Sequence, residues 1–455
     1  MFENPAEVKP KPKEEALDTQ WYSQFEKIGS FQAYEYFDGD KQTREREKQT
    51  FLAGEKENPE LDYPLLNLEN IASREGDLLR LKELILNEEE NEVVKQVYWW
   101  KLNEKIAENR LLKAAATGDQ RKFKRYSEFI YGKPSPEIFA YSLGRVRQIM
   151  KKADESENEE IRVLGSEFAS LFSIKDAFSV TIPSREVQAV ARESTLESVG
   201  DLVNINVDSD QEFSAEEIKV LFEGALQELS SEGWIVVINP NKSGISVNQE
   251  KKSVEIPENK KLSLRALKGL IAHEIGTHAA RRIRGERTKL KMLGLGFDRY
   301  EAGEEGITGL REQVLEGEVK DFSGFDGHFA ISLATGVDGH PRDFRQTFEI
   351  LKKYYHLQNM LKGMPREESE KKAETSAWGR CVRTFRGTNS QTPGICFTKD
   401  IIYREGNIAI WESVAKNTPE MSRWDVGKYD PSNPRHIWIL DQLNITDEQL
   451  QSLEK

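Results

Sequence analysis

The sequence predicts an α+β fold in which helices dominate. Three observations carry that reading. From Trp21 to about Ala153 apolar residues recur at helical spacing in a charged background. Between about 200 and 260 the texture changes to short apolar, β-branched runs separated by turn residues. Directly after them comes a helix-like run that holds two of the six histidines of this 455-residue chain.

In chain order, residues 1–20 are rich in Pro, Lys and Glu and are expected to form a disordered tail. Residues 21–155 are expected to be a helical N-terminal region. Leu79, Leu81, Leu84 and Leu86 lead into Val93, Val94, Val97 and Tyr98, and Leu111, Leu112 and residues 114–116 form another apolar run. Residues 123–131 end at Gly132, Pro134 and Pro136, and 142–153 continue as helix. The acidic stretch 154–160 is a plausible boundary, so 156–455 is expected to form the second unit. Within it, 202–207 alternates apolar and polar residues as a strand does. Ser214 is placed to cap a helix over 214–230. Residues 234–238 look like a buried strand, 239–244 like a turn, and 245–247 and 253–256 like two further strands. Ser263 begins a long helix that ends near Gly285.

Composition narrows the function. Lys and Arg total 65 and Asp and Glu 78, a formal charge of −13, which argues against a nucleic-acid partner. No apolar run approaches the roughly 20 residues that span a bilayer, so no membrane partner is expected. The N-terminus shows no apolar signal core, and a cytoplasmic location is the expectation. Cys381 and Cys396 are too few for a disulfide framework and read as inert thiols in a reducing compartment.

The long helix carries His273-Glu274-Ile275-Gly276-Thr277-His278. Neutral imidazoles hold a zinc ion, and a carboxylate between them can take a proton from an activated water. The usual spacing of such histidines is four, one turn of a helix face; here it is five. Five steps of about 100° leave the second ring about 140° from the first face. An extra residue in the turn, a π-bulge, would bring both rings to one ion. Gly276 lies where the backbone can deform cheaply, so the spacing predicts a distorted turn over 274–277. The competing reading is a surface helix with two unrelated histidines. A catalytic zinc site takes three protein ligands, and the segment 300–310 offers Glu301, Glu304 and Glu305 for the third; those glutamates could equally be favouring a helix N-terminus. The other histidines, His328, His340, His356 and His436, lack metal-type spacing. The first two are expected in Gly/Asp-rich loops. Strands leading directly into a metal-binding helix match a zincin-like core, in which a small sheet covers the active-site helix and its edge strand can hold extended substrate.

These residues resemble the microtubule-associated tyrosine carboxypeptidase family and its bacterial relatives with the QEGLA motif. The run from His273 to His278 is similar to the family's HExxxH, and Glu304-Glu305-Gly306-Ile307 to its EEGL element, with Ile where Leu is usual. Phe129–Ser135, Arg383-Thr384-Phe385-Arg386-Gly387 and Cys396–Gly406 extend the likeness, so that it covers roughly 70–415 in the expected order. The resemblance implies one Zn2+ per chain held by His273, His278 and Glu305, Glu304 standing at the variable position before the ligand. It implies a metallocarboxypeptidase that removes a C-terminal aromatic residue, Tyr or Phe, from a peptide or protein tail, with Glu274 as general base. A terminal carboxylate is well held by arginine; Arg383, Arg386 and Lys399 fall in the matching motifs, and Tyr403 could donate to the developing oxyanion. Lys399 and Asp400 could instead pair to shape the pocket. The known eukaryotic members act on tubulin tails, to which a charge of −13 is a poor match unless the cleft is locally positive. The alternatives are a zincin-type endo- or aminopeptidase, or a non-catalytic binding protein on a zinc fold; the intact Glu274 argues against the last.

Overall fold

The computed structural model describes residues 16–171, 180–205, 212–240, 242 and 244–446. Residues 1–15 of the expected tail lie outside these, but 16–20 are built into the protein. Asp18 is fully buried and accepts from Lys291 N at 2.8 Å, Met292 N at 2.9 Å and the Tyr98 hydroxyl at 2.9 Å.

The N-terminal part is helical as expected. It comprises α1 (Thr19–Gly29), α2 (Lys41–Leu52), α3 (Leu68–Glu88), α4 (Glu92–Ala116), α5 (Gln120–Tyr131) and α6 (Pro136–Asp154). Its helix starts are chemically marked: Asp40, Asn67, Asn91, Asp119 and Ser135 each accept from a backbone N–H of the first turn. α7 (Glu159–Ala169) and α8 (Arg185–Val203) follow. The strand expected over 202–207 is not found in its described part: Leu202 and Val203 close α8, and 206–207 lie outside the described residues. Helical spacing wins there because Ala191, Thr195, Val199 and Val203, four apart, form the buried face of α8.

β1 (Glu212–Ser214) leads into α9 (Ala215–Glu228), which opens with a complete capping box between Ser214 and Glu217. β2 (Ile235–Ile238), β3 (Ser246–Asn248), β4 (Ser253–Ile256) and β5 (Lys261–Ser263) come next. β5 pairs with β1, while the other three form a sheet of order β2-β4-β3, with β2 parallel and β3 antiparallel to β4. Val236, Val254 and Ile256 of that sheet share a core with Phe222 and Leu226 of α9 and with Leu267, Ile271 and Ile275. The sheet thus lies over the histidine-bearing helix. That helix is a composite: α10 (Leu264–Leu270), a π-helical segment (Ile271–Ala279) and α11 (Ala280–Arg287).

The remainder is helical: α12 (Met292–Leu295), α13 (Glu301–Glu316), α14 (Phe325–Thr335), α15 (Phe344–Leu361), α16 (Arg366–Phe385), α17 (Ile401–Lys416) and α18 (Pro434–Gln442). α13 and α17 pack with almost no space between them. A Cβ on Gly306 would stand 2.5 Å from Gly406 O, and one on Gly406 would stand 2.0 Å from Ala302 O. Only glycine permits this approach. The largest core joins Trp21, Phe25, Tyr98 and Leu111 of the N-terminal helices to Ile307 and Leu310 of α13 and Ile408 and Trp411 of α17. α4 also carries buried pairs, Lys101 with Glu104 at 2.6 Å and Lys105 with Glu108 at 2.8 Å. Lys105 donates to Phe31 O at 2.7 Å and Glu108 accepts from Ala33 N at 3.1 Å. These bonds fix the 3-10 turn Ala33–Phe37 against α4.

His328 was expected in a loop but lies buried in α14, its Nε2 3.0 Å from Glu405 Oε1; the Gly327 beside it sits inside the helix. Cys381 and Cys396 are free and buried, and burial pushes the Cys396 thiol up to about 12. Among the described residues no helix is long and apolar enough to cross a membrane.

Candidate active site

The expected distortion at the histidines is present and wider than 274–277, since π-helix runs from Ile271 to Ala279. Two neighbours hold it open. Gly276 faces α8, where a Cβ would meet Val199 Cγ1 at 2.7 Å. Arg311 of α13 donates to the Gly276 carbonyl at 2.9 Å and to Thr277 Oγ1 at 3.0 Å, and is itself paired with Asp425 at 2.9 Å. The widened turn brings both imidazoles together, with ring centroids 4.9 Å apart. Ligand atoms of His273, Glu274 and His278 all lie within 4.8 Å of one another.

α13 supplies three carboxylates to this cluster. Glu312 Oε1 lies 2.9 Å from His273 Nδ1, and Glu304 Oε1 lies 2.7 Å from His278 Nδ1. An ionised carboxylate only accepts, so each Nδ1 donates to its glutamate, and Nε2 is the ring nitrogen left to face a metal. Between them stands Glu305, whose Oε2 is sealed from solvent and has no hydrogen-bond partner. It lies 4.0 Å from His273 Nε2 and 4.0 Å from His278 Nε2. Donors about 2 Å from one zinc ion are at most about 4 Å apart, so Glu305 Oε2 stands at the outer limit of that span from each ring nitrogen. A buried carboxylate oxygen without a hydrogen-bond partner, beside two imidazole nitrogens, has the chemistry of a zinc donor set.

The electrostatics agree with a site built for a cation. Burial raises the Glu274 carboxyl above its ordinary value, against the two imidazoles that lower it. Burial opposes charge on His273, but the Glu312 hydrogen bond and the charges of Glu274, Glu312 and Glu305 outweigh it and raise the imidazole to about 10. Burial likewise opposes the charge on Glu304. Lys428 at 2.6 Å, His278 and Arg281 at 3.0 Å overcome that and hold Glu304 far below the usual carboxylate range.

The cations picked from the sequence share the same cleft, a cavity of about 960 Å³ lined by His273, Glu274, His278, Glu305, Arg383, Arg386, Lys399 and Tyr403. Lys399 is buried and pairs with Glu301 at 2.9 Å rather than with the adjacent Asp400. Asp400 instead gathers Arg380 at 3.1 Å, Arg383, and Arg386 at 3.7 Å. Arg383 also donates to the Tyr403 hydroxyl at 3.2 Å. Burial and the nearby Glu305 push the Tyr403 phenol up to about 12, so it remains a donor. One wall was not foreseen. Tyr34, on the turn pinned by α4, lies under Lys399 Nζ at 4.7 Å from its ring centre; Ser246, Val247 and Asn248 of β3 also line the cleft, in keeping with the edge strand expected beside the histidine helix. Glu312 was missed too, although its place seven residues after Glu305 puts it on the same helix face.

Residues 184–319 match the family model described as microtubule-associated tyrosine carboxypeptidase. Mouse microtubule-associated tyrosine carboxypeptidase 1 is 28% identical over 149 residues, 32% of this chain and 27% of the mouse protein. Both comparisons support the family likeness drawn from the sequence. The family-model match contains both histidines, Glu274, Glu304, Glu305 and Glu312, and stops short of Arg383, Arg386, Lys399 and Tyr403.

Proposed function

We propose, from the family match over residues 184–319, that this chain is a zinc-dependent carboxypeptidase that removes a C-terminal aromatic residue from a peptide or protein tail. The observation that carries this reading is the Glu305 oxygen, buried, unpartnered and 4.0 Å from both imidazole Nε2 atoms. His273, His278 and Glu305 would hold one zinc ion, which when bound supplies Lewis acidity to an attacking water and to the scissile carbonyl. Glu274 takes the proton of that water and returns it to the departing amine nitrogen. Its raised pKa suits a group that must hold a proton between the two steps. Arg383 and Arg386 face the released residue's carboxylate, Lys399 adds charge behind them, and the Tyr403 hydroxyl donates to the oxygen that gains charge.

The small sheet over the histidine helix, with its antiparallel edge strand β3 beside the cleft, supports a zincin-like core within 156–455. The helical region 21–155 then walls the cleft through Tyr34. The cation group within the cleft favours a carboxypeptidase over an endopeptidase.

The test combines metal content with hydrolysis of peptides of varied C-terminal residue, for wild type and Glu274→Ala. The proposal expects about one zinc per chain in both proteins and loss of a single C-terminal residue with wild type alone. Absence of bound metal, or cleavage at internal bonds, would sink it.

A further inference from the structure

The proposed chemistry uses the histidine, glutamate and arginine groups of the cleft. The remaining lining has its own character. β3 is the terminal strand of the sheet order β2-β4-β3, and its Ser246, Val247 and Asn248 line the cleft. Its outward backbone groups can pair with an extended chain. Residues of the segment 32–41 line the same cleft and present Glu35, Asp38 and Asp40 to it.

The positive charge available to that wall is small. Lys41 is turned aside to donate to Pro240 O at 2.8 Å. Lys242 pairs with Glu255 at 3.1 Å, and Glu255 sits across from Ser246 in the β3–β4 register. Among the described residues the Glu35 carboxylate has no hydrogen bond or close ion pair. Burial raises it to about 7; Lys242 works against this, and Glu250, Asp38 and Glu255 add to it. Glu35 is therefore a half-buried acid among acids, short of a counter-charge. The strong cations of the cleft, Arg383, Arg386 and Lys399, lie with Asp400, Glu301 and Tyr403 instead.

We infer that the cleft accepts C-terminal tails whose residues upstream of the scissile bond are neutral or basic, laid along β3, and turns away acidic tails, with Glu35 and Asp38 reading that charge. The inference rests on the carboxypeptidase reading above. An acidic tail would bring carboxylates against this wall, where low-dielectric sides strengthen repulsion. A lysine or arginine there gives Glu35 the partner it lacks. This separates the chain's substrate from acidic tails of the tubulin kind.

The test uses a short peptide series ending in tyrosine with a free carboxylate, carrying lysine, alanine or glutamate upstream. kcat/KM is measured on the zinc-loaded full chain at low and high salt. Binding is measured by fluorescence anisotropy on the zinc-loaded Glu274→Ala protein. The lysine peptide is expected to exceed the glutamate peptide by about tenfold or more at low salt, with the gap shrinking as salt screens it. In the double variant Glu35→Lys, Asp38→Lys the order reverses. Equal use of the two peptides, or preference for glutamate, overturns the inference, and so does a lysine preference that survives the double variant. Cleavage of none of the peptides, with lysine still bound more tightly than glutamate, faults the carboxypeptidase reading and leaves the charge selection standing. Neither cleavage nor binding overturns both.

Discussion

Glu305 Oε2 lies 4.0 Å from His278 Nε2, while the adjacent Glu304 bonds the other side of the same ring, its Oε1 2.7 Å from Nδ1. Two neighbouring carboxylates thus flank one imidazole from opposite sides, and on the proposed reading one serves the metal and the other the scaffold. Substitution should separate them. Glu305→Gln is expected to lower zinc affinity by more than about 100-fold, beyond the usual outer-shell effect, with little change in melting temperature. Glu304→Gln leaves Arg281 and Lys428 buried without their partner, which should cost about 3–5 kcal/mol of stability. Metal analysis after dialysis against a chelator and thermal melting check the two outcomes; similar behaviour of both variants would refute the division.

Proton competition should govern metal loading at His273. Its imidazole is raised to about 10 by Glu312, Glu274 and Glu305 despite burial. The metal-free protein therefore carries a proton there at neutral pH, and zinc must displace it. Apparent zinc affinity should rise with pH up to about 10 and then level off. Loading in weak buffer near pH 8 should release about one proton per zinc from this ring. Titration calorimetry in buffers of different ionisation heat measures that number; a value near zero would contradict the assigned protonation.

Glu312 holds His273 through Nδ1, and on the proposed reading it orients the ring without itself being a ligand. Glu312→Gln should weaken zinc binding by about 10–100-fold and reduce the proton release together. Unchanged affinity would show that the 2.9 Å contact is incidental.

The π-helical turn should depend on the space at Gly276. Gly276→Ala places a methyl 2.7 Å from Val199 Cγ1, and such overpacking typically costs about 1–3 kcal/mol. Val199→Ala in the same chain should recover much of the melting temperature and of the zinc content. A double variant no better than the single one would mean that the turn fails for another reason.

Arg383→Gln removes a charge-assisted contact worth about 1.5–3 kcal/mol, so KM for free-carboxylate peptides should rise about 10–100-fold. Binding of the same peptides with amidated ends should change little. Equal losses on both series would move the carboxylate site elsewhere in the cleft.

Much of this site was legible in the chain because local rules govern it. Five-residue spacing between His273 and His278 demanded a wider turn, and Gly276 marked where it forms. The Ser214 cap and the runs at β2 and β4 were similarly local. Misreadings arose where tertiary contacts decide. Alternation near Val203 looked extended, but its buried partner is Val199, four residues back along α8. Tyr34 carried no signal, since only the buried bonds of Lys105 and Glu108 bring its turn to the cleft. The partners of Lys399 and Asp400 also could not be read, because adjacency in sequence suggested a pair that the fold divides between Glu301 and three arginines.

The missing Cβ atoms at Gly306 and Gly406 have a consequence for what is cut. Glu305 sits one residue before the first, and Tyr403 three residues before the second. With the two backbones in contact, the gap between Glu305 and Tyr403, whose hydroxyl accepts a hydrogen bond from Arg383, cannot breathe. On the proposed reading that gap is a caliper set to one amino acid. Gly406→Ala would prise it open, and the protein would then lose its measure of length before it lost its chemistry.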